Sequence, residues 1–109
     1  MKIDYENIPV KVEKQFKGGE GETVMRAFAD DMGRMMKLCL KPGCSIGFHT
    51  HEGDCEIVYI ISGRARCFYD DTVEELSAGD VHYCPEGHGH SMTNPYEEDL
   101  IFFGVVPKK

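Results

Sequence analysis

The sequence predicts an all-β protein, an antiparallel sandwich or barrel built as one domain. The first observation is a series of short runs with strand composition, separated at regular spacing by Gly, Pro and Asp, which is typical of that class. The second is the length, because 109 residues of which 41% are hydrophobic fit a single core. The chain contains no internal repeat and no low-complexity segment.

The first half of the chain contains an N-terminal segment and two strand candidates. Residues 3–12 could pair as an edge strand, and the glycine-rich residues 18–22 are predicted to form a flexible link. Residues 23–28 favour a short strand, although they also fit one turn of an amphipathic helix. Residues 34–41 are a better strand candidate, which Pro42 and Gly43 end.

The second half contains more strand-like runs. Residues 56–62 form a continuous apolar run, which is consistent with a strand buried on both faces or lying in a barrel wall. Gly63 and Arg64 then turn the chain. The remaining predicted strands are 65–69, 72–76, 81–84 and 100–106.

Histidine and acidic residues in the middle of the chain have the spacing of metal ligands. Alternate side chains of a strand share a face, so His49 and His51 can present two imidazole nitrogens to one space. The polar residues 52–55 indicate a turn or the start of a new strand, and a hairpin there would return Glu56 to the histidines. His90 can complete a set of three nitrogens and one oxygen.

This donor set suits Mn, Fe, Ni, Co, Cu or Zn better than Ca or Mg, which prefer oxygen ligands. Four protein ligands on one side of an octahedral ion leave two positions for substrate, water or oxygen, as a catalytic metal requires. A closed tetrahedral structural site is the alternative. The donor spacing does not choose among the metals.

The two donor segments resemble the conserved motifs of a known family, the cupin superfamily. The spacing of its first motif is matched by Gly43, His49, His51, Glu56 and Gly63. The second motif is matched equally well by Gly79, Pro85, Gly87, His90 and Asn94. No fixed position departs from the two motifs, which with their intervening segment cover about half of the chain.

The resemblance implies a small single-domain metal-binding cupin. Its jelly-roll β-barrel of antiparallel strands would occupy residues 23–109, preceded by an N-terminal arm and edge strand over residues 1–22. A divalent transition metal would lie inside the barrel, bound by His49, His51, Glu56 and His90. Because the arm of small cupins often extends to a neighbouring subunit, we expect a homodimer. An arm packed on its own barrel or partly disordered is the alternative.

The other motif residues are expected to be structural. Gly43, Gly63 and Gly79 fall where strand-like runs end, and glycine permits the positive φ that tight turns require. Asn94 can close a turn through its own side chain.

Alternation also predicts the cavity lining, which should be mostly apolar near the metal. The side chains expected to face inward are Val58 and Ile60 with Glu56, Met92 with His90, and Gly47 with His49.

Two arginines and two histidines lie outside the motif positions. Arg64 and Arg66 are the nearest cations that could hold an anionic substrate, although a solvated hairpin is the commoner outcome. His88, between two glycines, is expected to be exposed at the barrel mouth. His82 is expected to decorate a strand outside the site.

The cysteines favour reduced thiols over a disulfide framework, because their number is odd and no export signal is recognisable. None has the C-x-x-C spacing of a zinc ribbon or a redox pair. Three of the five lie close in sequence to the metal-ligand segments, namely Cys44, Cys55 and Cys84. We expect each of these three to be a small buried hydrophobic group, and a thiol that faces the pocket is the alternative. The other two cysteines are Cys39 and Cys67.

Charge and hydropathy restrict the partners. A net charge of −7 argues against nucleic acid, because a phosphate-binding surface needs clustered Lys and Arg. No apolar run approaches the ~20 residues of a membrane span, and the first residues lack the apolar segment of a secretory signal. We therefore expect a cytoplasmic protein whose partner is a small molecule.

Two functions remain open at this point. The resemblance implies a metal-dependent enzyme, such as a dioxygenase, decarboxylase, isomerase or lyase, that acts on a small oxygenated substrate such as a carboxylate or a sugar. A non-catalytic module that binds a small ligand or sugar is the alternative. Four intact ligands favour the enzyme modestly, since a module would be free to lose one, and the fold leaves the reaction open.

Overall fold

The computed structural model describes residues 1–108 and confirms the all-β prediction. Over those residues the chain forms ten antiparallel strands and no α-helix. The strands are β1 (Lys11–Lys14), β2 (Glu22–Asp30), β3 (Gly33–Leu40), β4 (Ser45–Thr50), β5 (Glu56–Ser62), β6 (Arg64–Tyr69), β7 (Thr72–Ser77), β8 (Val81–Cys84), β9 (Gly89–Thr93) and β10 (Leu100–Pro107). Short 3₁₀ turns lie at Tyr5–Asn7 and Phe16–Gly18.

Two sheets form the jelly-roll barrel. One contains six strands in the order β1-β2-β3-β10-β5-β8, and the other contains four in the order β4-β9-β6-β7. Inward-facing residues of both sheets make one buried cluster, in which Leu40, Ile60 and Phe102 are the largest fully buried apolar side chains. Burying each contributes roughly 1.5–3 kcal/mol, so alternating apolar residues on β3, β5 and β10 hold the sheets together.

The strand predictions agree closely with the structure from residue 22 onward. The segment 23–28, for which a helical turn was the alternative, lies within β2. The edge strand expected over 3–12 is shorter and later, because β1 covers Lys11–Lys14 and a 3₁₀ turn occupies Tyr5–Asn7. β1 pairs with β2 at the edge of the larger sheet.

The prediction of a flexible link over residues 18–22 is wrong, because this segment packs against β4. A Cβ atom added to Gly19 would lie 2.1 Å from the carbonyl oxygen of Ser45, and one added to Gly47 would lie 2.1 Å from that of Lys17. Two backbones therefore touch where neither glycine has a side chain. This contact holds the Phe16–Gly18 turn against the barrel.

The motif residues expected to be structural have the predicted roles. Asn94 is buried, and its side-chain amide donates hydrogen bonds to the carbonyls of Leu40 and Glu98, each at 2.8 Å. Its Oδ1 atom accepts a hydrogen bond from the Tyr96 amide at 3.1 Å, which closes a turn. Positive φ angles are found at the three motif glycines that end strands, Gly43, Gly63 and Gly79.

Within residues 1–108, the chain forms no helix with the length and apolar character needed to cross a membrane.

Candidate metal centre

The structure brings the four predicted ligands together inside the barrel. One donor atom from each of His49, His51, Glu56 and His90 lies within 4.8 Å of the other three. His49 on β4 is paired in register with His90 on β9. His51 immediately follows β4, and the turn after it delivers Glu56 as the first residue of β5. Two paired strands of the smaller sheet and one turn that crosses to the larger sheet therefore assemble the cluster. The hairpin expected over residues 52–55 is wrong, because β4 and β5 belong to different sheets.

A β-bulge in β4 sets the direction of His49. The register of β4 against β9 shifts between Ile46 and His49, so both of these side chains reach the cavity. The prediction that Gly47 shares the inward face with His49 is therefore wrong. Gly47 instead contacts the Phe16–Gly18 turn, and its carbonyl accepts a hydrogen bond from His49 Nδ1 at 2.8 Å.

Each histidine of the cluster is held through its Nδ1 atom by a group outside the cluster. His51 Nδ1 lies 2.8 Å from Asp54 Oδ1, and His90 Nδ1 lies 3.0 Å from Nε2 of His82. With the carbonyl that holds His49, every Nδ1 atom has a partner. Such outer contacts orient metal-ligating imidazoles and fix which nitrogen carries the proton.

The inward-facing atoms of the cluster fit a metal ion. His90 Nε2 lies 2.9 Å from Glu56 Oε1 and 3.0 Å from His51 Nε2. His51 Nε2 in turn lies 3.3 Å from Glu56 Oε1. When neutral rings carry their protons on Nδ1, these three atoms all present lone pairs to one another. A positive charge among them, a proton or a metal ion, removes the repulsion. Imidazole nitrogen and carboxylate oxygen are ligands for first-row transition metals.

The pKa shifts of Glu56 and His51 also show that positive charge is favoured at this cluster. Burial alone would raise the pKa of Glu56, but its contacts with His51 and His90 outweigh burial and lower the pKa to about 2. The contact with Glu56 is the main cause that raises the pKa of His51. Burial lowers the pKa of His49. The buried carboxylate is thus stabilised as an anion by the imidazoles around it.

A cavity of about 200 Å³ opens beside the cluster and includes all four candidate ligands in its wall. The inward positions predicted for Val58, Ile60 and Met92 are confirmed, since each is at most 3% exposed. Val58 and Met92 line the cavity, whereas Ile60 is buried in the core and does not. The remaining apolar lining comes from Phe16, Met36, Leu38, Ile46, Phe102 and Val106. Besides the four candidate ligands, the wall contains six other polar side chains, so the lining is mixed and the prediction of a mostly apolar one is wrong; these six are Lys17, Arg34, Thr50, Glu52, Asp54 and Ser91.

The arginines singled out in the sequence lie away from this cavity. Arg64 contacts Glu98 at 3.3 Å and stacks over the Tyr96 ring at 4.0 Å. Arg66 contacts Glu75 at 2.6 Å. Both side chains form surface ion pairs, which agrees with the alternative of a solvated hairpin.

Two other cations line the cavity, Arg34 on β3 and Lys17 in the 3₁₀ turn. Arg34 shares the inward face of β3 with Met36 and Leu38, so alternation along that strand could have identified it. No such signal was present for Lys17, because its position depends on the packing of residues 18–22 against β4.

The two remaining histidines differ from each other. His88 is exposed, as predicted, and its Nδ1 atom lies 2.6 Å from Asp70 Oδ2. His82 was expected to lie outside the site, but it is 2% exposed and directly behind His90. β8 turns Val81 and Tyr83 outward and His82 inward, so hydrophobic alternation indicated the opposite direction. Burial lowers the pKa of His82.

The cysteines are all free thiols. Cys67 and Cys84 are fully buried, and burial is the main cause that raises the pKa of each to about 12. Cys55 is partly exposed and lies in a surface depression beside Tyr83. The buried pair therefore behaves as small apolar groups, and none of the five lines the ligand cavity.

Comparisons with known proteins agree with this architecture. Residues 36–106 match the family model of the cupin domain. An oxalate-binding protein from Thermotoga maritima is 35% identical over 97 residues, which cover 83% of this chain and 79% of that protein. A crystal structure from the same organism, described as a predicted oxalate decarboxylase, is similar over the whole of both chains with a TM-score of 0.94 and 30% identity.

A more distant cupin domain from Schizosaccharomyces pombe shares the fold, with a TM-score of 0.80 at 10% identity, over 99% of this chain and 74% of that one. Since the matching family model covers more than half of the chain, and since the strands, the two motifs and the buried donor cluster are all present, the chain belongs to the cupin family.

Proposed function

We propose that this cupin binds a divalent transition metal through His49, His51, Glu56 and His90, and that the metal site binds a small carboxylate such as oxalate. The observation that carries the proposal is the convergence of four donor atoms whose facing lone pairs require a positive charge between them. The similarity to an oxalate-binding protein supports the choice of ligand.

The surroundings of the cluster support an open site. All four ligands belong to a cavity wall, so one side of the metal would face free space, which favours an open site over a closed tetrahedral one. A bound divalent metal supplies a Lewis-acidic centre for carboxylate oxygens. The donor set remains compatible with Mn, Fe, Ni, Co, Cu or Zn.

The size and charge of the cavity support a small anion. Its volume of about 200 Å³ lies below the ~300–1,000 Å³ of pockets for drug-sized ligands. The wall contains three carboxylates, Glu52, Asp54 and Glu56, against the two cations Arg34 and Lys17, so a bound divalent metal would give it a net positive charge. Arginine binds carboxylates through two parallel hydrogen bonds, so we assign to Arg34 the carboxylate oxygens that the metal does not hold.

Turnover of the bound carboxylate is the second candidate function, and Glu52 favours it. This exposed acid lines the cavity and could deliver a proton to a bound substrate. For the oxalate monoanion, the carbon–carbon bond would break and carbon dioxide would leave, while Glu52 would take up the proton of the monoanion and return it to the formate carbon. The reaction is balanced without an external oxidant. A binding module would carry the same metal and ligand without this step.

Metal and ligand binding can be tested together. Elemental analysis should find close to one metal per chain after growth with several metals supplied. His90→Ala should lower this occupancy much more than His88→Ala, because His88 lies outside the cavity lining. No metal in the wild-type protein, or equal losses in the two variants, would contradict the assigned ligands.

Calorimetric titration with oxalate should give binding that disappears when the metal is removed. Arg34→Ala should weaken it about tenfold or more, as expected for loss of hydrogen bonds to a charged group. Arg64→Ala is the matched control, because that arginine is engaged on the surface. Release of formate and carbon dioxide by the metal-loaded protein, lost in Glu52→Gln, would establish turnover, whereas binding without products would establish the module.

A further inference from the structure

A chain of hydrogen bonds runs from the metal cluster to the protein surface through His82. Its Nε2 atom lies 3.0 Å from His90 Nδ1, and its Nδ1 atom lies 2.8 Å from Glu74 Oε1. The His82 side chain is 1% exposed, while that of Glu74 on β7 is 40% exposed. A partly exposed carboxylate is thus connected to a buried metal ligand through one imidazole.

The chemistry of these groups determines where each proton lies. A carboxylate only accepts hydrogen bonds, so Glu74 requires the proton of a neutral His82 to be on Nδ1. Nε2 of His82 then has a lone pair and accepts from His90 Nδ1. Consequently the proton of a neutral His90 is on Nδ1 and its Nε2 lone pair faces the cluster, where a metal needs it. That lone pair lies 2.9 Å from Glu56 Oε1, so a metal ion, or a second proton on His90 in the metal-free protein, must lie between the two atoms.

The other neighbour of His82 Nε2 agrees with this assignment. The Sγ atom of Cys67 lies 3.4 Å from that nitrogen, and the raised pKa of this buried thiol keeps its proton in place. That nitrogen has one lone pair, which the His90 N–H occupies, and the weakly donating thiol also lies 3.8 Å from the carbonyl oxygen of Phe68, so Cys67 fits the assignment without adding to it. The His82 and His90 rings are also stacked, with centroids 5.2 Å apart, so His82 contacts its partner along a face as well as through one bond.

The opposite arrangement of protons would disable the metal ligand. If His82 carried its proton on Nε2, a lone pair on Nδ1 would face Glu74 at 2.8 Å, which is repulsive. His90 Nδ1 would then become an acceptor, and its proton would move to Nε2, where it would occupy the position of the metal. Glu74 therefore acts on the ligand atom although it does not touch it.

We propose that Glu74 and His82 are a positioning pair that holds His90 in the tautomer required for metal binding. The inference rests on the proposed metal site and adds two residues to it. His49 and His51 are each anchored by one group near them in sequence, Gly47 and Asp54. His90 alone of the three depends on a second imidazole and on a residue of another strand.

Substitutions at Glu74 test the proposal, with Glu75 as the matched control. Glu75 is the next residue of β7 and points away, toward Arg66 and Tyr96. Glu74→Lys replaces the acceptor with a donor and should reverse the tautomers, whereas Glu75→Lys makes the same change of charge elsewhere. Chelator competition with Zn²⁺ should show that Glu74→Lys lowers metal affinity by about 10- to 100-fold, and that Glu75→Lys stays within about twofold.

A spectroscopic measurement separates positioning from general destabilisation. Long-range ¹H–¹⁵N spectra of the metal-free protein distinguish the two neutral histidine tautomers. We expect His82 to carry its proton on Nδ1 in the wild type and in Glu75→Lys, and on Nε2 in Glu74→Lys. Glu74→Gln, which keeps an acceptor oxygen, should retain the wild-type tautomer and most of the affinity.

The outcomes distinguish the two proposals. If the wild type binds no Zn²⁺, the metal site is wrong, while the tautomer of His82 still reports on Glu74. If the wild type binds Zn²⁺ but Glu74→Lys and Glu75→Lys have equal affinities or equal His82 tautomers, the positioning pair is overturned. Should Glu74→Lys fail to fold, Glu74→Ala removes the acceptor without adding a charge, and an unchanged affinity in that variant overturns the pair equally.

Discussion

At the scale of residues, protons and the metal compete for the same imidazole nitrogens. A ligating histidine must be neutral. The pKa of His51 is raised, chiefly by its contact with Glu56, so this ring takes up a proton first as pH falls. The pKa of His49 is lowered by burial, so that ring remains neutral to lower pH. With its pKa of about 2, Glu56 stays ionised throughout this range.

Metal should therefore leave as pH falls through and below about 6.5, the ordinary pKa of histidine, and the loss should follow histidine rather than carboxylate protonation. Dialysis against a series of buffers, followed by elemental analysis, measures this release. Retention of the metal down to about pH 4 would count against histidine ligation. A release that begins only near pH 2 would point to Glu56 as the sole important ligand.

A second residue-scale prediction concerns the space behind Glu56. A Cβ atom added to Gly104 on β10 would lie 3.0 Å from Glu56 Oε2, which is closer than an ordinary van der Waals contact. Gly104→Ala should push the carboxylate out of place while leaving its charge unchanged. We expect metal affinity to fall roughly tenfold, the lower end of the effect of disturbing a ligand's surroundings.

Competition with a chelator measures the effect of Gly104→Ala, and the circular dichroism of the variant checks its fold. Gly89 on β9 does not provide a control, because a Cβ there would meet the Phe48 ring at 2.5 Å. Ala27→Ser on the exposed part of β2 is a milder control for substitution in the larger sheet. Unchanged affinity in Gly104→Ala would show that Glu56 can move without loss of binding.

Motif spacing was sufficient to name the four donor residues, because family motifs and strand alternation both depend on sequence separation. Motif spacing did not identify the groups that hydrogen-bond to the Nδ1 atoms of the donor histidines. Asp54 was within the predicted turn, yet nothing in the sequence indicated that its carboxylate meets His51. The contacts of His82 with Glu74 and His90 cross from the larger sheet to the smaller one, so they depend on how the two sheets face each other, which no local pattern determines.

At the scale of elements, the contact between the 3₁₀ turn Phe16–Gly18 and the bulge of β4 links the N-terminal segment to the cavity. Phe16 and Lys17 line the cavity only because this turn lies on Gly47. The composition of residues 18–22 suggested flexibility, since glycine is common in linkers. Glycine is equally suited to close backbone packing, and composition cannot distinguish these uses.

Gly47→Ala tests that contact. The new methyl group would lie 2.1 Å from the carbonyl oxygen of Lys17, a distance that forces the turn to move. Overpacking of this kind typically costs 1–3 kcal/mol, and we expect a loss of about that size in the free energy of unfolding measured with urea. The shift should also weaken oxalate binding through Lys17.

Ser45→Ala is the control for Gly47→Ala, because it changes the same strand by removing only a side-chain hydroxyl, which accepts a hydrogen bond from the Glu20 amide. Its cost should be smaller, about 1 kcal/mol. If both variants lose the same stability and neither changes oxalate binding, the turn does not depend on the glycine contact.

The strands were predicted more accurately than their faces. Predicted and observed bounds nearly coincide for β5, β8 and β10, because apolar runs bounded by Gly, Pro and Asp mark strands well. The faces were misjudged where alternation fails, at the bulge of β4 and at β8. A bulge inserts one residue without a sequence signal, and β8 presents apolar side chains to the outside.

At the scale of the whole molecule, the outer face of the larger sheet carries an apolar surface. It contains two cross-strand pairs of β5 and β8, Ile57 with Tyr83 and Tyr59 with Val81. The four residues are between 41% and 60% exposed. Contiguous exposed apolar side chains on a small protein commonly mark an interface. β8 is also the last strand of its sheet, and an edge strand presents backbone groups with which a second chain can pair.

These features agree with the homodimer expected from the family resemblance, which stays a prediction. In a dimer with two-fold symmetry, this apolar surface of one copy would pack against the same surface of the other copy, which is the usual arrangement for homodimers. Light scattering coupled to size exclusion should therefore give about twice the chain mass of 12.3 kDa. Tyr83→Lys should shift the mass toward the monomer, because a cation in an apolar interface costs several kcal/mol unless it is paired.

Val73→Lys is the matched control for Tyr83→Lys, since Val73 is 54% exposed, as Tyr83 is, but lies on β7 of the other sheet. A monomeric mass for the wild type at all concentrations would contradict the dimer. A dimer broken by Val73→Lys and not by Tyr83→Lys would move the interface to the smaller sheet.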